Sequence, residues 1–163
     1  MMMIQFAVYG APVAQPRQRH SLITTKTGAQ FIHNYTPKKD PVTQWKSDVK
    51  MEAIRAWCER FPSGTPVWSG PIWMIMDFYL PRPQSFCRKK DPEGPMYCIA
   101  KPDLDNLTKS VKDALTGVVY VDDKQVCEER IRKVYHEKGG RPRAEITIGQ
   151  KDYQGKWFLP WRL

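Results

Sequence analysis

Residues 71–80, Pro-Ile-Trp-Met-Ile-Met-Asp-Phe-Tyr-Leu, carry the strongest strand signal in the chain. Strands that face solvent on one side alternate apolar and polar residues, and this run is nearly continuous in its apolar content. It predicts a central strand, buried on both faces. Shorter strand signals lie around it. Residues 3–9 are aliphatic and aromatic and stop at Gly10, and residues 30–35 follow a Thr-Lys-Thr-Gly turn. Residues 118–121 (Val-Val-Tyr-Val) predict a short strand running into Asp122-Asp123, and 126–137 with 144–149 predict two strands around Gly139-Gly140. The Pro-punctuated stretch 10–20 reads as a basic loop, and the Pro-rich basic stretch 81–101 as a partly mobile linker.

Two helices separate these strands. Asp40-Pro41 supplies an N-cap and a proline at the first helical position. After it, Val42, Trp45, Val49, Ala53, Ala56 and Trp57 recur at intervals of three and four, and the pattern ends near Phe61-Pro62. The second helix is predicted from about Leu104 to Leu115, closed by Gly117. Trp45, Trp57, Trp73, Phe78 and Leu80 are expected in the core. Elements of this number in 163 residues, with 41% hydrophobic side chains, fit one folded domain.

No apolar run approaches the roughly 20 residues of a membrane-spanning helix. The first ten residues lack the basic start and cleavage site of a signal peptide, so a soluble, cytoplasmic protein is expected. Cys58, Cys87, Cys98 and Cys127 are scattered without a CxxC pair, which predicts free thiols rather than zinc ligands or disulfides. His20, His33 and His136 are isolated and read as surface histidines.

The net charge of +9 is unevenly spread. Residues 102–123 hold five aspartates against two lysines, a net of −3, so the rest of the chain carries +12. No acidic residue occurs in the first 39. A basic periphery suits a polyanionic partner. The acidic island admits two readings, a solvated helix and turn or a cation site.

The island reads Lys-Pro-Asp-Leu-Asp-Asn-Leu-Thr-Lys-Ser-Val-Lys-Asp-Ala-Leu, then Val-Asp-Asp-Lys-Gln-Val. At about 100° per residue, Leu107, Val111, Ala114 and Leu115 fall within roughly 80° of Leu104, and Asp105, Asn106, Lys109 and Asp113 project from the other side. Taken singly, Asp103 can be only an N-cap, Asp105 with Lys109 only an i,i+4 pair, and Asp122-Asp123 only a turn. Together they supply carboxylates at a helix start, a lysine one turn on, and a carboxylate pair at a strand end. Hard cations such as Mg²⁺ take one or two carboxylates plus waters and phosphate oxygens. A lysine adds fixed positive charge where a transition state turns more negative. These are the parts of a phosphodiester hydrolase.

The same residues resemble the signature of the RusA family of Holliday-junction resolvases, common in phages and prophages. The shared order is Lys-Pro-Asp-x-Asp-Asn-Leu, a lysine four residues after the second aspartate, Asp-Ala-Leu, and Asp-Asp-x-Gln-Val. Gly-Ala-Pro-Val-Ala-Gln-Pro-Arg-Gln-Arg-His near the start, Tyr-Thr-Pro before the first helix and Phe-Tyr-Leu-Pro-Arg-Pro after the central strand are similar to family segments too. The resemblance spans about residues 4–149, which makes 1–149 the expected endonuclease domain and 150–163 an aromatic, basic tail. It departs in the tail and in the cysteine-bearing stretch 82–100. It implies a compact α+β single domain, a small mixed β-sheet packed against two main α-helices, and a homodimer that resolves four-way junctions by paired symmetric cuts with Mg²⁺ or Mn²⁺. Carried over by position, the resemblance makes Asp103, Asp105 and Asp123 the essential metal-site carboxylates, with Asp122 the close neighbour and the ligating member of the 122–123 pair left open, and Lys109 the essential basic residue near the phosphate.

Expected phosphate contacts come from Arg17, Arg19, Lys26, Lys38 and Lys39, then from Arg88, Lys89 and Lys90, then from Arg130, Arg132 and Lys133, of which Arg130 and Arg132 share a strand face and Lys133 points away. Phe86 and Tyr97 are candidate wedges into a junction. The alternatives are an architectural nucleic-acid-binding protein without cleavage, a nuclease for flaps, forks or RNA, and a phosphohydrolase of other substrates. The last would not need so basic a periphery.

Overall fold

The structure is a computed structural model. It describes the backbone of residues 2–16, 19–25, 27–28, 30–35 and 40–156, and the side chains of all of these except 19–22 and 32–35. The elements are β1 (Met3–Tyr9), β2 (Arg19–Thr24), β3 (Gln30–Tyr35), α1 (Pro41–Arg60), β4 (Ile72–Leu80), β5 (Met96–Tyr97), α2 (Leu104–Leu115), β6 (Val126–Tyr135) and β7 (Arg143–Gln150). Five strands form one mixed sheet in the order β1-β7-β4-β6-β5, and β2 pairs with β3 as a separate hairpin. β4 and β6 are parallel, and every other pair is antiparallel. The small mixed sheet, two helices and single α+β unit match the expectation.

β4 is central, with β7 on one side and β6 on the other. Its Met74, Met76 and Phe78 are fully buried beneath the helices, together with Ile4, Phe6 and Val8 of β1 and Ala144, Ile146 and Ile148 of β7. α1 starts as its sequence requires. The Asp40 carboxylate accepts from the Val42 amide at 3.0 Å, and Pro41 takes the first position, where its missing N–H costs nothing. α1 buries Val42, Trp45, Val49 and Ala53, and α2 buries Leu107, Val111, Ala114 and Leu115. A polar bond locks the two helices together, because the indole N–H of Trp45 donates to the buried Ser110 hydroxyl at 3.1 Å. Lys46 reaches Asp113 at 2.8 Å beside it. Trp45, Trp73, Phe78 and Leu80 are buried as expected, and Trp57 packs against the core edge.

Three sequence expectations change. Residues 118–121 do not form a strand. Gly117 takes a left-handed turn (φ +73°) that sends the chain back, and Tyr120 makes only single bridges to Thr116 and Trp68. β2 begins at Arg19, inside the segment read as loop, because pairing with β3 overrides its weak local signal. The stretch 81–101 is held in place. The buried Arg82 guanidinium donates to the carbonyls of Phe86, Pro92 and Gly94 at 2.8–3.0 Å, Lys138 donates to the Asp91 carbonyl, and Met96–Tyr97 pairs with β6. Lys151 to Lys156 continue beyond β7, with the Lys151 amide bonded to the Pro71 carbonyl. Among the described residues no helix is long and apolar enough to cross a membrane, and the four cysteines are free thiols.

Arg82 is the pivot of the 84–95 loop. Arg82→Met strands three carbonyls, and at about 1–3 kcal/mol for such a loss the loop opens at least about fivefold more often. Trypsin is expected to cut after Arg88, Lys89 or Lys90 correspondingly faster in the folded variant. An unchanged cleavage rate would show that the loop is held by something else.

Candidate active site

α2 begins just after a cis Lys101–Pro102 peptide. Asp103 stands at its N-cap position with extended backbone, and its carbonyl accepts the first helical bond, from Leu107 at 3.1 Å. Its carboxylate makes no capping bond to the helix. Asp105 and Lys109, both exposed and one turn apart, form no ion pair with each other. Among the described residues, these two carboxylates and the ammonium have no ion-pair partner, at the first turns of a helix whose N-terminal dipole favours ionised acids.

That helix start is fixed from beneath. The Lys133 ammonium on β6 donates to the carbonyls of Ala100 and Pro102, both at 2.8 Å. From the other side, the Gln15 amide donates to the Asn106 carbonyl at 2.8 Å. Further along, Lys112 pairs with Glu129 of β6 at 2.9 Å, and the Tyr120 hydroxyl donates to the Lys112 carbonyl. Burial raises the Tyr120 pKa, and the nearby Asp123, Asp113 and Glu129 carboxylates add to the effect, so this phenol stays a donor.

Asp122 and Asp123 lead into β6 through a single 3-10 turn closed by Gln125. The Asp122 carboxylate accepts from the Lys124 amide at 3.0 Å, while the Gln125 side-chain carbonyl accepts from the Asp122 amide at 2.8 Å. The Gln125 amide group then donates to the carbonyls of Trp68 and Gly70 at 3.0 and 2.9 Å. The Lys124 N–H holds the Asp122 carboxyl below the usual carboxylate range. Asp122 is thus committed to the turn, and Asp123 beside it is exposed.

The structure separates the two acidic pairs. α2 runs antiparallel to β6, since Lys133 lies at the helix start and Glu129 at Lys112, near its end. Asp103 and Asp105 stand at the carboxyl end of β6, and Asp122 and Asp123 at its amino end. The rise along α2 from Asp105 to Leu115 alone is roughly 15 Å. Among the described residues no group of three or more His, Cys, Asp or Glu side chains is placed to hold a metal ion. The donors are nevertheless all carboxylate oxygens, which suits a hard cation bound through one or two of them with waters and phosphate oxygens.

Of the expected DNA contacts, Arg88, Lys89 and Lys90 are exposed on the anchored loop, and Arg130 is exposed on β6. Arg132 is bidentate on Asp77 at 2.9 Å, which raises its pKa. Arg17, Lys26, Lys38 and Lys39 lie outside the described residues, and for Arg19 only its backbone place at the start of β2 is given. Phe86 packs on Tyr135, whereas Tyr97 is 80% exposed. Sequence reasoning missed the role of Gln125 and read Lys133 as a phosphate contact, whereas its ammonium holds the carbonyls of Ala100 and Pro102. The first had a signal, because an acid followed three residues later by Gln is a capping-box pattern. The second had none, since its partners lie more than thirty residues away.

Gln125→Ala removes one acceptor and two donors from partly buried carbonyls and an amide. A loss of about 1–3 kcal/mol is expected, read as a lower urea midpoint with unchanged slope. An unaltered midpoint would show that water replaces the amide without cost.

Two comparisons with known proteins find relatives of the chain. The family model "Endodeoxyribonuclease RusA" matches residues 10–149. The chain is 35% identical over 150 residues to "Uncharacterized protein YqaN" of Bacillus subtilis (strain 168), covering 89% of this chain and 94% of that protein. With an acidic helix start, a basic residue one turn on and an Asp-Asp turn inside the matched span, the chain belongs to the RusA endodeoxyribonuclease family.

Proposed function

We propose that the protein is a divalent-metal-dependent resolvase of four-way DNA junctions, working as a homodimer that makes paired symmetric cuts. The observation that carries this reading is the uncommitted trio Asp103, Asp105 and Lys109 on a helix start held by Lys133, in a chain of the RusA family. Hydrolysis adds water in line to phosphorus while one bridging P–O bond breaks, leaving a phosphomonoester and an alcohol. Asp103, Asp105 and Asp123 would hold the cation, with Asp122 fixing the Asp123 turn. When bound, Mg²⁺ or Mn²⁺ eases deprotonation of the attacking water and offsets phosphate charge. Lys109 places an ammonium where the phosphoryl oxygens gain negative charge. Arg88, Lys89, Lys90 and Arg130 bind the DNA backbone, joined by Arg17, Arg19, Lys26, Lys38 and Lys39. Arg132 is the weakest of these candidates because Asp77 already holds it.

The nuclease for flaps and forks and the non-cleaving architectural protein are separated from this reading by one assay. Labelled four-way junction, fork, flap, duplex and single-stranded DNA are incubated with Mg²⁺ or with EDTA. Paired symmetric incisions of the junction in Mg²⁺ alone are expected. Binding without cleavage, or preferential cutting of forks or flaps, would sink the proposal. Asp103→Asn and Asp105→Asn are each expected to abolish cleavage while junction affinity persists, and full activity in either would remove that residue from the site.

Backbone binding has its own signature. Replacing Arg88, Lys89 and Lys90 together by Ala is expected to flatten the dependence of log K on log salt by about 0.9 for each phosphate no longer neutralised. An unchanged slope would take this loop out of the DNA interface.

A further inference from the structure

Tyr97 is 80% exposed and Ile99 100%, on either side of buried Cys98. Burial alternates here as it does along a strand, so the two apolar side chains project together. They are held out on a clamped segment. The Cys98 N–H donates to the Lys133 carbonyl at 3.2 Å, the Lys133 ammonium donates to the Ala100 carbonyl at 2.8 Å, and the Cys98 side chain packs with Leu80 and Tyr135. Beside Tyr97 the sheet edge opens into a cleft of about 350 Å³, lined by Tyr97, Cys98, Leu104, Ile131 and Arg130 among others. Leu104 stands between Asp103 and Asp105 in the chain, so the cleft borders the candidate active site. The backbone supplies polar groups to it. The N–H and carbonyl of successive strand residues turn to opposite sides, and Lys133 turns its own toward β5. Ile131, two residues away, turns its pair to the same edge, where β5 has already ended and, among the described residues, no strand uses them.

We propose that this cleft receives one unpaired nucleobase of branched DNA, stacked on the Tyr97 ring with Ile99 as a flanking wedge, and that this contact selects branch points over duplex. The inference rests on the nuclease reading above and names the feature of the substrate that its site recognises. Each part of the cleft meets one part of a nucleotide. The Tyr97 ring and the Leu104 and Ile131 side chains offer apolar surface to the faces of a base. The Ile131 N–H and carbonyl offer one donor and one acceptor to its edge. Arg130 and Lys101, both exposed, offer charge to the flanking phosphates, while Glu128 and Glu129 on the same edge are each paired with a lysine. A base inside a duplex reaches such a cleft only after unpairing and unstacking, whereas a base at a branch point or in a single strand has less to lose. Discrimination then comes from what it costs the DNA to expose the base, and it needs no sequence-specific contact.

Binding in EDTA isolates this contact from cleavage. Affinities are measured for a four-way junction, for single-stranded DNA and for fully paired duplex of the same sequence. Tyr97→Ala is expected to weaken junction binding at least about fivefold, the lower end for one base stacked on an aromatic side chain, and to leave duplex binding unchanged. Tyr97→Phe is expected to bind as wild type does, because the ring and not the hydroxyl is used. An unchanged urea midpoint shows that both variants keep the fold. An equal loss on single-stranded DNA assigns the contact to any unpaired base, and a loss on the junction alone assigns it to a pair opened at the branch point. The wild-type protein gives a second measurement. Iododeoxyuridine placed at the branch-point nucleotides is expected to cross-link to Tyr97 on irradiation, located by mass spectrometry of the peptides. Unchanged junction binding by Tyr97→Ala, an equal loss on duplex, or cross-links that all map outside the cleft overturn the inference, and cleavage of the junction in Mg²⁺ by the same protein leaves the nuclease reading standing. A wild-type protein that shows the Tyr97 contact but cuts no branched DNA overturns the nuclease reading instead.

Discussion

β4 and β6 lie side by side and parallel, and this one pairing organises the molecule. Parallel neighbours cannot be joined by a hairpin, so the chain must leave the carboxyl end of β4, travel back across the sheet and enter β6 at its amino end. α2 is that return path. Its direction is therefore set before any functional residue is considered, and so are its ends. Whatever side chains stand at its first turn sit over the carboxyl ends of the strands. Whatever stands between it and β6 sits at their amino ends.

The polar contacts around α2 follow from the same constraint. A crossover helix buries one stripe, here Leu107, Val111, Ala114 and Leu115, and needs its ends satisfied where the chain turns away from the sheet. β6 provides for both ends. Lys133 serves the carbonyls before the helix, Glu129 takes Lys112 near its close, and Gln125, just ahead of the strand, holds the turn that follows. These partners are used on backbone and on each other, and among the described residues the exposed Asp103, Asp105 and Lys109 pair with none of them. Half-exposed Arg132 shows the contrast. It sits on the opposite face of β6, where Asp77 and Tyr79 engage it, and a cation so engaged brings little free charge to a phosphate.

Local pattern was legible wherever local physics decided the outcome. Asp40-Pro41 marked the start of α1, the three-and-four spacing from about Leu104 marked α2, and the nearly continuous apolar run marked β4 as central. Val118 to Val121 misled because β-branched residues also suit a tight return after a helix once Gly117 supplies the left-handed backbone. The 81–101 stretch misled because proline and lysine content says nothing about a buried guanidinium, and Arg82 looks in sequence like one more surface cation. The acidic residues were found by type and spacing. Their separation was not, because the helical wheel compares positions around a helix and the distance at issue lies along it.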